Sequence, residues 1–72
     1  MSATLDRIAA KLADETLQVM DKTGDERFYT TVAQTIGAAS QTLEEAYLTE
    51  IRIRLAARKA MALIQATKKS AE

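Results

Sequence analysis

The sequence contains no cysteine, histidine, proline, tryptophan or asparagine, only two glycines, and three aromatic residues: Phe28, Tyr29 and Tyr47. Each absence excludes something. Without cysteine or histidine there is no disulfide scaffold, zinc finger, redox thiol, haem attachment or histidine-based catalysis. Two glycines exclude a glycine-rich phosphate loop. No charge of one sign dominates either: ten Lys plus Arg balance ten Asp plus Glu, so there is neither a basic nucleic-acid tail nor an acidic activation tail. Long hydrophobic runs are also missing. The N-terminus lacks the apolar stretch of a signal peptide, and the most apolar segment, residues 56–64, is interrupted by Arg58 and Lys59, so no transmembrane span is predicted. The expectation is a cytoplasmic protein.

What is present favours helix. The 72 residues suffice for one small domain, residues 1–72. Apolar types make up 47% of the chain. Fourteen of those residues are alanine, the strongest helix former, leaving twenty larger apolar side chains for a core. From Leu5 to Met20, Leu5, Ile8, Leu12, Thr16 and Val19 recur at helical spacing, with Lys11, Asp14, Glu15, Gln18 and Lys22 on the other side. This predicts a first helix over residues 3–22, started by Ser2 or Thr4 as N-cap. A turn at 23–25 follows, with Gly24 at positive φ. Thr23 and Glu26 have the spacing of a capping box that would open the next helix.

From Phe28 the apolar arc Phe28, Tyr29, Val32, Ala33 and Ile36 keeps its phase through Ala39, Leu43, Ala46 and Tyr47. That continuity predicts one long second helix over residues 26–68, with residues 68–72 frayed. The alternative is a break at 37–41, with Ser40 or Thr42 capping a third helix. Beyond Tyr47 two stripes run side by side: Ile53, Ala57, Ala60, Met61 and Ile64 on one face, and Leu48, Ile51, Leu55, Ala62 and Ala66 on the adjoining one. Glu50 and Arg54 are spaced for an i,i+4 ion pair.

The predicted architecture is therefore all-α: an antiparallel helical hairpin with a long second helix, or a three-helix domain broken near Gly37. In the hairpin, a first helix of about 30 Å covers only part of a second one of about 65 Å. Two apolar stripes are then left over, and twenty large apolar side chains make a marginal core for a chain of this length. Both points favour dimerisation into a helical bundle. Charge agrees. Residues 1–50 carry four basic and nine acidic groups, net −5, whereas residues 51–72 carry six basic and one acidic, net +5.

Candidate chemistry is sparse. Glu44 and Glu45 point about 100° apart on a helix and do not form an acid/base pair. A di-iron bundle needs Glu-x-x-His. Asp21, Thr23 and Asp25 share the opening of a calcium loop, but Glu26 stands at its glycine position and Val32 at its final Glu position. No catalytic residue, cofactor or metal is predicted.

Residues 31–47 resemble a helix-turn-helix in register: Ala33 at the small position, Gly37 at the turn, and Val32, Ile36 and Leu43 at packing positions. The resemblance implies a DNA-reading helix begun by Ser40, Gln41, Thr42, Glu44 and Glu45. Two carboxylates at that place face a polyanion, and phosphate contacts rest on Lys and Arg. The basic residues Arg52, Arg54, Arg58, Lys59, Lys68 and Lys69 are spread around the helix rather than gathered on one face. The leading functional expectation is thus a non-enzymatic interaction or regulatory protein acting as a homodimer. Its partners would be a second copy and other helical proteins, through Leu48, Ile51, Leu55, Ala62, Ala66, Ile53, Met61 and Ile64.

Overall fold

A computed structural model describes residues 2–71, and all its regular elements are helices: α1 (Ala3–Thr23), α2 (Phe28–Gly37) and α3 (Gln41–Ala71). The start of α1 follows from Ser2, whose backbone is extended and whose Oγ accepts from the Leu5 N–H at 3.2 Å. That satisfies one of the amide groups a helix N-terminus leaves unpaired. The helix ends at Gly24, the one position of positive φ (74°) among the described residues, whose N–H donates to the Met20 carbonyl at 2.8 Å. A side chain here would be forced into left-handed backbone.

The expected capping box does not form. Thr23 is the last residue of α1, where its hydroxyl donates to the Val19 carbonyl and accepts from the Asp25 N–H. Asp25 in turn accepts from the Arg27 N–H through Oδ1 at 3.0 Å. The two short side chains build consecutive local turns, which delays α2 to Phe28.

The expected second helix over 26–68 is also corrected: the chain breaks after Gly37, and the three-helix alternative is the observed one. Ala39 and Ser40 N–H groups both donate to the Ile36 carbonyl. Ser40 then caps α3, its Oγ accepting from Leu43 N–H at 3.1 Å and its carbonyl from Glu44 N–H at 3.1 Å. Phase continuity was a poor guide because Ala38 keeps right-handed helical dihedrals (φ −62°, ψ −27°). At the other end α3 continues to Ala71, so Lys68–Ala71 is helical; the expected fraying at residue 72 lies outside the described residues.

Moving along α1, Leu5 and Asp6 border Thr42 and Ala46, Asp14 pairs with Arg54, and Asp21 pairs with Arg58. Helices α1 and α3 are therefore parallel and pack on each other, and α2 packs against both. The core holds Ala9, Ala13, Leu17, Ala33, Tyr47 and Ile51, flanked by Leu12, Met20, Tyr29, Val32, Ile36, Leu48 and Leu55. Alanines on α1 let the larger Tyr47 and Ile51 of α3 sit close to its axis. The Tyr47 hydroxyl reaches all three helices. It donates to Thr16 Oγ1 at 2.9 Å, has the Tyr29 carbonyl at 3.4 Å as a second acceptor, and Thr16 itself donates to the Leu12 carbonyl at 2.8 Å. Among the described residues no buried side-chain polar atom lacks a partner, as a small core requires.

Candidate interaction surface

Helix α3 is longer than anything available to cover it. Its 31 residues span about 46 Å at 1.5 Å per residue, against about 31 Å for α1; the molecule measures 50 × 29 × 13 Å. Every described residue from Ala56 onward is exposed. The C-terminal half of α3 is thus an arm projecting past the bundle.

The eight residues expected to form an interaction surface divide at the base of this arm. Leu48, Ile51 and Leu55 belong to the chain's own core, with Ile51 only 1% exposed. This follows from the break at Ala38–Ser40, which folds α2 and α1 against that stripe. The other five are exposed: Ala62 and Ala66 continue the core stripe beyond the end of α1, while Ile53 (57%), Met61 (54%) and Ile64 (49%) lie on a different face. Ile53 and Ile64 are roughly 200° around the helix from Ile51, on the side away from the bundle. Sequence reasoning missed Leu63, which at 69% is the most exposed large apolar side chain here. It borders a groove with Ile64, Thr67, Lys68 and Ala71. Its seven-residue spacing from Ala56 was the available signal.

Charge is distributed unevenly along α3. At its base Arg54 Nε donates to Asp14 Oδ1 at 2.7 Å and Nη1 to Glu50 Oε1 at 2.6 Å, confirming the expected i,i+4 pair and adding a tie to α1. One turn further, Arg58 makes a two-pronged contact to Asp21 at 2.9 and 3.0 Å. That hydrogen bond holds the Asp21 carboxyl below its ordinary value; desolvation opposes it in part, and the guanidinium charge adds a lesser lowering. Two residues of the basic cluster are therefore used within the chain. Lys59, Lys68 and Lys69 form no ion pair among the described residues. Near the start of α3, Asp6, Glu45 and Glu50 surround a groove of about 460 Å³ floored by Leu5 and Ala46.

Among the described residues no group of three or more acidic, His or Cys side chains could hold a metal, and no helix is long and apolar enough to cross a membrane. Residues 31–47 do form helix, turn and helix, but Glu44 folds back over Gly37: a Cβ there would sit 2.6 Å from Glu44 Oε1. No protein-family model matches the sequence, and comparison with curated proteins and with solved structures finds no match.

Proposed function

We propose that this chain is a non-enzymatic interaction or regulatory protein, that the arm of α3 is its contact surface, and that it acts as a homodimeric helical bundle. One observation carries the reading: Ile53, Met61, Leu63 and Ile64 are each about half or more exposed on a single projecting helix. A helix with so much apolar surface and no covering element gains from burying it against another helix. Light scattering after size exclusion, from low-micromolar to hundreds of micromolar protein, tests it. The expected result is a dimer mass that Ile64→Glu reduces to a monomer with helicity intact. A monomer at the highest concentration of the unaltered chain defeats the reading. The variant belongs at Ile64 rather than Leu55, because Leu55 packs on the chain's own core.

A second reading, a helix-turn-helix-like DNA contact by residues 31–47, is favoured by the break at Ala38–Ser40. Replacing Glu44 and Glu45 by Ala removes two phosphate-repelling charges and on this reading tightens salt-sensitive DNA binding. No binding by either form at low salt retires it.

A further inference from the structure

The exposed face of α3 has a regular spacing. Ile53, Ala57, Ala60, Ile64, Thr67 and Ala71 alternate steps of four and three residues, the seam of a helix that packs on another helix along its length. Followed backward, the same seam passes Glu50 and Ala46, which border the acidic groove beside Asp6. Followed forward, it ends in the groove of Leu63, Ile64, Thr67 and Lys68. The seam thus joins an acidic apolar groove at one end to a basic apolar tip at the other, about 27 Å apart along the helix.

Two such surfaces complement each other only head to tail. A parallel pair sets Lys68 and Lys69 against the same residues of the second copy. Antiparallel pairing offers three nearby registers in which the seams interlock. With Ala57 against Thr67 of the second copy, only the basic arms overlap and Glu50 is left outside. With Ala57 against Ile53, Glu50 is pressed on Ala60 and its adjacent cation is Arg54 of its own chain, already bonded to it, so the pairing adds no ion pair between copies. With Ala57 against Ala60, Ile53 meets Ile64 on both sides of the two-fold axis. In that register Thr67 also faces Glu50, and Lys68 falls beside Glu50 and Asp6.

We infer that two copies pair their α3 arms antiparallel with Ala57 opposite Ala60, so that the Lys68 tip of each docks in the Asp6–Glu50 groove of the other. The contact is isologous and closed, giving a dimer and no fibre. It rests on the dimer reading above. The alanines at its centre permit a close approach of the two helices, while the paired charges at the ends fix direction and register.

Because the chain has no cysteine, the register can be read directly. Equimolar Ile53→Cys and uniformly 15N-labelled Ile64→Cys full-length chains are mixed and oxidised, and the three disulfide-linked products, now different in mass, are resolved by mass spectrometry. Both sites are exposed in the monomer, and circular dichroism confirms that the variants fold. The mixed 53–64 product is expected to dominate, because in this register two copies of residue 53 lie about 16 Å apart along the axis, beyond the roughly 7 Å a disulfide spans. A dimer mass with 53–53 and 64–64 products, or with a statistical mixture, overturns the register while leaving the dimer. A monomer mass overturns both. In parallel, Lys68→Glu is expected to weaken dimerisation about tenfold, and adding Asp6→Lys to the same chain to restore most of it. An unchanged dissociation constant for Lys68→Glu overturns the docking of the tip in the acidic groove.

Discussion

Ile51 and Ile53 stand two residues apart on one helix, yet the first is 1% exposed and the second 57%. The same contrast separates the two ends of α3. Its first four turns are a wall of the three-helix bundle, and its last four are an arm with nothing across from it. Large apolar side chains alone do not distinguish them, since both ends carry Leu and Ile. What differs is that α1 stops at Gly24 and that the arm's large side chains turn to the other face. A helix has no interior of its own, so burial is decided by what the chain elsewhere can bring alongside.

The comparison is broken most severely by removing the bundle's central side chain. Tyr47→Ala opens a cavity beneath three helices and removes the donor to Thr16 Oγ1, and a loss of about 3–5 kcal/mol is expected from urea unfolding at low protein concentration. Ile64→Ala, on the arm, changes stability by about 0.5 kcal/mol or less under the same conditions. Comparable losses from the two would mean that the arm is part of the cooperative fold of the single chain.

A milder change sharpens the picture of the core. Tyr47→Phe keeps the ring and removes only the hydroxyl, for an expected cost of about 1 kcal/mol. Burial pushes the Tyr47 phenol above its ordinary range, and the hydrogen bond with Thr16 only partly opposes this. A raised folded-state pKa favours the protonated phenol in the fold. Its stability is therefore fully present below the unfolded value near 10 and is lost as pH rises through the folded value. The wild-type chain should lose stability in that alkaline window and Tyr47→Phe should lose less of it. Parallel alkaline profiles for the two proteins would place the titration elsewhere.

The helical class, the first helix with its Ser2 cap, and Gly24 as a left-handed stop were legible in the sequence. Each rests on contacts within a few residues, where spacing and cap chemistry speak directly. The break at Ala38–Ser40 was legible only as an alternative, because Ser40 is a good cap but the apolar arc keeps its phase in the sequence across the turn. The site divided for the same reason. Once the chain folds back at Ser40, the Leu48, Ile51 and Leu55 stripe finds partners in its own α1 and α2, while Ile53, Met61 and Ile64 do not. Periodicity shows that a face is apolar; it does not say which face is covered. The Arg54–Asp14 and Arg58–Asp21 ties link residues 40 and 37 positions apart, and no local pattern announces them.

The smallest expected effect concerns the border between bundle and arm. Arg58→Gln removes the two-pronged contact to Asp21, the last polar tie before α3 leaves α1. Both side chains are about half exposed, so water and salt screen the pair and its contribution to stability is modest. Asp21 has its pKa lowered by Arg58. A lowered folded-state value contributes stability above the unfolded pKa and loses it as pH falls through the folded one. Arg58→Gln should therefore lower the urea midpoint slightly at neutral pH, and the gap from wild type should close below the ordinary carboxylate range. The gap should also shrink in high salt, where Tyr47→Phe is unaffected. A gap that persists at acid pH and high salt would mean that Arg58 acts through its aliphatic stem, shielding Leu17 and Leu55 where the arm departs, rather than through its charge.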